Sequence, residues 1–153
     1  GARGFPNLTD ADWLHGGSPD AILETVSNGR IAIMPPFGPA LGDRGVEEMI
    51  AYVLTLSGRN APADLARAGA AKFQMFCVAC HGPDAKGNIQ IGAPNLTDDI
   101  WLYGSSAASI RETISKGRQN AMPAHLPLLG AQRVHLMAAY VISLSDKGAA
   151  SAQ

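Results

Sequence analysis

Residues 73–81 read FQMFCVACH, and the last five carry the clearest chemical signal in the chain. Cys77 and Cys80 are three positions apart and His81 follows directly, which is the C-x-x-C-H pattern of covalent c-type haem attachment. On one helical turn the two sulfurs can reach the two vinyl positions of one haem, and the next residue can ligate the iron through an imidazole nitrogen. The pattern therefore predicts one haem c, bound covalently at Cys77 and Cys80 and ligated by His81.

A C-x-x-C pair also occurs in zinc sites and in thiol oxidoreductases. A zinc site would need a second pair of ligands at set spacing, but the chain has only 2 cysteines. A thioredoxin-like site would need a βαβ context, whereas the flanking segments are typical of helices and loops. A thiol oxidoreductase using Cys77 and Cys80 remains the alternative, and it would require free thiols in the native protein.

The composition excludes a nucleic-acid-binding surface and favours a globular chain with many loops. The 153 residues include 12 basic and 13 acidic side chains, for a net charge of −1, so a basic excess is absent. Hydrophobic residues make up 46%, enough for a core, and 17 glycines with 10 prolines predict many loops. No apolar run reaches the roughly 20 residues of a membrane span, because prolines interrupt the candidate at residues 31–41.

The chain contains an internal duplication with an offset of 88 residues. Matching segments are 6–10 with 94–98, 13–14 with 101–102, 29–30 with 117–118, 34–35 with 122–123, and 51–53 with 139–141. We call residues 6–57 the first copy and residues 94–145 the second copy. Two copies with so long an offset indicate a duplicated domain rather than a solenoid. The same offset applied to Cys77 falls before residue 1, so we expect the natural chain to continue upstream, with a dead first copy as the alternative.

Each copy is predicted to be mainly helical, without strands. Ser18 and Ser106 are expected to cap a short helix that ends at Gly29 or Gly117. A longer helix follows in each copy, with apolar residues along one face. In the first copy this face runs from Val46 to Leu56. It is expected to be exposed, because its crossing partner lies outside the chain.

Several of these residues resemble the class I cytochromes c. Gly69, Phe73 and the haem motif match the first helix of that family, and Tyr140 matches the aromatic residue of its last helix. Residues 80–88, 93–104, 117–118 and 122–125 together resemble the membrane-anchored di-haem subunit of cbb3-type cytochrome c oxidases. The resemblance implies an all-α fold of two tandem cytochrome c domains. Residues 1–60 would form the first, without its N-terminal helix and haem motif, and residues 61–153 the second.

The same resemblance implies the residues that surround the haems. His81 and Met122 would be the axial ligands of the haem attached at Cys77 and Cys80, and Met34 would ligate the other haem. The Pro94 carbonyl would accept a hydrogen bond from His81. Three further residues would lie near the haem propionates, namely Trp101, Tyr103 and Arg118. Swapped pairing of the two methionines between the copies remains open.

The resemblance further implies a subunit that relays single electrons from a donor cytochrome c to the oxygen-reducing subunit. His/Met ligation raises the reduction potential and leaves no open iron position, which favours electron transfer over oxygen binding. Its partners would be the catalytic and mono-haem subunits, at the periplasmic face of the bacterial inner membrane, with contact to the membrane only through an N-terminal anchor absent from this sequence. A soluble periplasmic di-haem shuttle and a gas-sensing haem protein are the alternatives.

Overall fold

The computed structural model describes residues 2–151, and side chains within residues 2–145. The elements in chain order are α1 Pro19–Asn28, β1 Arg30–Met34, α2 Gly38–Leu56, α3 Ala63–Phe76, α4 Val78–His81, α5 Ala107–Lys116, β2 Arg118–Met122, α6 Leu126–Leu129 and α7 Ala131–Ser151. Helices account for most of these elements, as expected for the cytochrome c family.

The short helices of the two copies begin and end where the sequence predicts. The Ser18 side chain accepts a hydrogen bond from the Ala21 backbone at the start of α1, and Ser106 does the same for Ser109 in α5. These oxygens satisfy backbone N–H groups that the first turn of a helix leaves without partners. Gly29 and Gly117 end the two helices with almost the same positive φ, 70° and 71°. The duplication in sequence is therefore a duplication of local structure.

The prediction that the chain contains no strands is wrong for two short segments. β1 and β2 follow α1 and α5 directly, and they pair as a two-stranded sheet. Each runs from the residue after the helix-ending glycine to the methionine of the Met-Pro pair in its copy. An alternation of apolar and polar residues is hard to recognise in these five-residue strands. Prolines follow β1 directly, and β2 is largely polar.

Two compact units divide the described chain, and neither coincides with one copy. The first unit combines the residues up to Ala32 with those from Asn120 onward, and the second unit contains Ile33–Gln119. The domain boundaries predicted from sequence, 1–60 and 61–153, follow the duplication, and they stay a prediction. In space, each unit takes its short helix from one copy and its long helix from the other.

The second unit is centred on the crossing of α2 and α3. A Cβ atom added at Gly69 would overlap the backbone carbonyl of Glu48 and lie 2.8 Å from Tyr52 Cβ, so only glycine permits this approach. The rings of Tyr52 and Phe73 meet edge to face with centroids 5.3 Å apart. The face of α2 that was expected to be exposed is thus buried, including Val46 and Met49. The expectation is wrong because the crossing partner of α2 is α3, which lies within the chain.

The first unit packs α1 against α7. Its buried residues are Ile22, Val26, Val134 and Ala138. Other large side chains of α7 remain exposed, at 72% for Leu136 and 62% for Tyr140. In the second unit, the residue that corresponds to Tyr140 is Tyr52, which packs on α3.

Across residues 2–151, no helix combines the length and the apolar character that a bilayer-spanning segment requires.

Candidate haem-binding site

The C-x-x-C-H segment lies at a break between two helices of the second unit. α3 ends at Phe76, and α4 begins at Val78 after Cys77 adopts φ −115° and ψ −30°. The His81 N–H donates to the Cys77 carbonyl at 2.9 Å, which closes one helical turn over the motif. Cys77 is half-buried and Cys80 is exposed. One turn therefore brings together the two sulfurs and the imidazole.

His81 is buried and oriented by a backbone carbonyl. Only 7% of the residue is exposed, and its Nδ1 lies 3.1 Å from the Pro94 carbonyl oxygen. Burial lowers the pKa of His81, and the hydrogen bond to Pro94 partly opposes this shift. A neutral imidazole that donates through Nδ1 keeps the Nε2 lone pair for a metal. The hydrogen bond that the resemblance implied between His81 and Pro94 is present.

A tight loop holds Pro94 in this position. The Gly87 N–H donates to the His81 carbonyl at 2.9 Å, and the Leu96 N–H donates to the Ala85 carbonyl at 2.8 Å. Gly87 has φ +86°, and a Cβ atom there would overlap the Ala93 carbonyl. The loop is therefore folded back on the motif by backbone hydrogen bonds, and Gly87 permits the return.

The environment of Cys77 is apolar. Its Sγ lies 4.0 Å from Sδ of Met49, a residue that is wholly buried on α2. Burial raises the pKa of the Cys77 thiol to about 11, with a smaller contribution from Cys80. A free thiol there would be almost fully protonated at neutral pH and a poor nucleophile. This environment disfavours thiol-disulfide chemistry.

The two candidate methionine ligands fall in different compact units. Met34 is half-buried and packs against the core of the second unit, as do Cys77 and Trp101. Met122 is 38% exposed and belongs to the first unit. The structure thus places Met34, rather than Met122, in the unit that holds Cys77, Cys80 and His81.

A glycine contact fixes the position of each Met-Pro pair. A Cβ atom at Gly117 would overlap the Met34 carbonyl within the second unit, and one at Gly29 would overlap the Met122 carbonyl within the first. The next residues repeat the pattern. The Phe37 N–H donates to the Ile114 carbonyl at 2.9 Å, and at the matching positions the His125 N–H donates to the Val26 carbonyl at 3.1 Å. Each Met-Pro segment therefore docks on the short helix of the other copy.

Arg118 is held at the end of α5 by several side chains. Its Nε donates to Thr113 Oγ1 at 2.9 Å, and its guanidinium carbon lies 4.2 Å from the centre of the Tyr103 ring. Nη2 is buried and lies 3.2 Å from Glu112 Oε2, but it makes no hydrogen bond of good geometry among the described residues. Nη1 donates to Glu112 Oε1 at 3.3 Å, so the Arg118 guanidinium already has one carboxylate partner. Trp101 packs against the apolar core of the second unit.

Sequence reasoning missed three features of this site. Met49 lies beside Cys77, a contact that the helical spacing of α2 does not predict. Glu48 was not singled out, although it is one of the two buried polar residues whose side chains the structure describes. Gly117 was read only as the end of a helix. Its recurrence beside Arg118, at a fixed distance before a Met-Pro pair in both copies, was the available signal.

A family profile matches this chain over residues 1–53 and 64–141, and that family is described as cytochrome c oxidase, cbb3-type, subunit III. The chain belongs to this family. The match includes the haem motif, Met34, Pro94 and Met122, so the site lies within the region that defines subunit III.

Curated relatives in the subunit III family are similar over nearly the whole chain. The cbb3-type cytochrome c oxidase subunit CcoP of Rubrivivax gelatinosus is 46% identical over 154 residues, covering 100% of this chain and 50% of that protein. The FixP subunit of Sinorhizobium medicae is 40% identical over 153 residues, covering 94% of this chain and 53% of that protein. The Rhodobacter capsulatus CcoP subunit is 40% identical over 163 residues, covering 94% of this chain and 55% of that protein. The chain spans about half the length of these relatives.

Proposed function

We propose that this chain is the electron-carrying part of a cbb3-type oxidase subunit III, with a c-type haem attached at Cys77 and Cys80. The observation that carries the proposal is the buried imidazole of His81, whose Nδ1 lies 3.1 Å from the Pro94 carbonyl and whose Nε2 is left for iron. When bound, such a haem supplies reversible one-electron transfer. The family and the names of its curated members agree with this role.

We infer that Met34 would hold the haem iron together with His81, and that Met122 would serve the other haem. Met34 packs in the same core as Cys77, and the Gly117 contact fixes the backbone carbonyl of Met34. This is the swapped pairing that the sequence left open, and the pairing of His81 with Met122 is the competing assignment. A thioether ligand favours ferrous iron, so Met34 would raise the reduction potential.

The remaining residues of the site would bind the haem edge and exclude water. The buried Nη2 of Arg118 is a donor without a well-formed hydrogen bond, which suits a haem propionate. Trp101 and Met49 would contribute apolar contacts, because both belong to the core around Cys77. A dry, apolar setting disfavours the extra positive charge of ferric iron. It would therefore raise the reduction potential, as Met34 would.

We further propose the setting of the whole subunit. It would receive electrons from a donor cytochrome c and pass them to the catalytic and mono-haem subunits at the periplasmic face of the bacterial inner membrane. A first haem, and the membrane anchor, would belong to sequence outside these residues. The exposed face of α7, which includes Tyr140, corresponds to the face of α2 that packs on α3. A second helix like α3, carrying the first haem motif, would pack on this face of α7. A soluble di-haem shuttle is the competing assignment.

A pair of methionine variants tests the ligand assignment. In the haem-loaded chain, Met34→Ala should abolish the methionine–iron absorption band of the ferric protein and lower the reduction potential, while Met122→Ala leaves both unchanged. The reverse result would restore the pairing of His81 with Met122. A haemochrome assay of the parent chain that finds no covalent haem would overturn the electron-transfer assignment itself.

A further inference from the structure

The duplication leaves α2 and α7 with almost the same apolar face. Six pairs of residues on these helices are identical at the offset of 88, namely Val46 and Val134, Met49 and Met137, Ala51 and Ala139, Tyr52 and Tyr140, Val53 and Val141, and Leu56 and Leu144. Among the wholly buried apolar positions of α2, only Ile50 has a different counterpart, Ala138. Apolar contacts are not directional, so they discriminate poorly between two such helices. Another interaction must determine which helix packs on α3.

α2 carries two carboxylates that reach its neighbours. Lys72 Nζ on α3 lies 2.6 Å from Glu48 Oε2, and the two side chains are 30% and 7% exposed. Arg44 Nε contacts the other carboxylate oxygen at 3.0 Å. Glu47 forms an ion pair with Arg111 on α5. The two carboxylates thus link α2 to both helices that it packs against in the second unit.

α7 cannot make these contacts. The residues that correspond to Glu47 and Glu48 are His135 and Leu136, and the residue that corresponds to Arg111 is Leu23 on α1. With α7 on α3, the ammonium group of Lys72 would lie against Leu136 and would have no carboxylate partner from that helix. Breaking one side of a largely buried ion pair is strongly unfavourable, because the remaining charge stays desolvated.

We propose that the Glu48–Lys72 and Glu47–Arg111 ion pairs select α2, rather than α7, as the helix that closes the unit containing the C-x-x-C-H motif. The shared apolar face would let either α2 or α7 pack on α3, and the ion pairs distinguish the two helices. A single polar contact within an otherwise apolar interface fixes pairing in the same way in coiled coils. The inference concerns helix pairing, so it is independent of which methionine ligates iron.

Nuclear Overhauser contacts in the reduced, haem-loaded chain report the pairing directly. In the parent protein the Phe73 ring should contact Tyr52, as the 5.3 Å centroid distance requires. Exchanging the charges between the helices, with E47H, E48L, H135E and L136E, should transfer the Phe73 contact to Tyr140. If the contact remains wholly with Tyr52, the charges do not select the helix. The matched control exchanges the differing apolar residues between the helices, with I50A and A138I, and leaves the charges in place. It should leave the Phe73 contact with Tyr52.

Charge reversal tests the same proposal if the fourfold variant does not retain haem. E48K should sharply reduce the yield of haem-loaded protein, and adding K72E should recover most of it, because the ion pair is re-formed with opposite polarity. Equal losses for E48K and for the double variant would overturn the proposal. Arg44→Gln serves as the control and should retain the parent yield, since the Arg44 side chain is 86% exposed.

Discussion

Gly117→Ala is the sharpest test of how the Met34 segment is held. Gly117 has φ 71° and ψ −175°, a combination that is essentially restricted to glycine and costs other residues about 1–3 kcal/mol. The new methyl group would also meet the Met34 carbonyl and the Pro35 and Pro36 backbone. Forcing an extra carbon into packed structure adds about 1–3 kcal/mol. We therefore expect a total destabilisation of about 2–6 kcal/mol.

Gly42→Ala separates the two contributions. Gly42 has φ 64° and ψ 172°, so it pays the same backbone cost, but nothing lies within 4 Å of its added Cβ atom. Denaturant unfolding of the two haem-loaded variants should give a midpoint for Gly117→Ala well below that for Gly42→Ala. Only Gly117→Ala should also weaken the methionine–iron band, because it displaces Met34. Equal midpoints and equal bands would refute the reasoning that Gly117 positions Met34.

Three further outcomes are expected. Phe73→Ala, at a residue 1% exposed, should cost about 3–5 kcal/mol of unfolding free energy. Met75→Ala, 70% exposed on the same helix, should cost under about 0.5 kcal/mol. Tyr52→Ala should destabilise the chain more than Tyr140→Ala, because only the Tyr52 ring packs on Phe73; equal losses would contradict the packing of α2 on α3. The hydrogen bonds from Lys72 and Arg44 lower the pKa of Glu48. The stability that Glu48 contributes is therefore complete above its usual pKa, near 4.5, and is lost as the pH falls through the lowered value. Acid unfolding of Glu48→Gln should show a weaker pH dependence in that range.

The haem motif and the helix caps could be predicted from the sequence because each depends on local spacing, whereas the hydrogen bond to Pro94 was implied by the family resemblance. A C-x-x-C-H segment needs one helical turn, and Ser18 and Gly29 act on backbone groups within their own helix. The burial of α2 could not be predicted in this way. It depends on the close approach of Gly69 to the backbone of Glu48. At the offset of 88, Glu48 corresponds to Leu136, and Gly69 has no counterpart among the 153 residues.

The methionine pairing could not be read from the sequence for a different reason. Translation by 88 residues maps each copy onto the other, so every motif in the first copy is equally compatible with its own neighbours and with those of the second. The strands favour the swapped pairing proposed above. β1 and β2 each run five residues from the end of a short helix to a Met-Pro pair, and the boundary between the compact units falls within each strand. The chain therefore leaves the compact unit that contains its short helix before it reaches Met34 or Met122. The proposed exchange of ligands between the copies would then require no long linker, only a short strand and a glycine, Gly29 or Gly117, that leaves room for the incoming carbonyl.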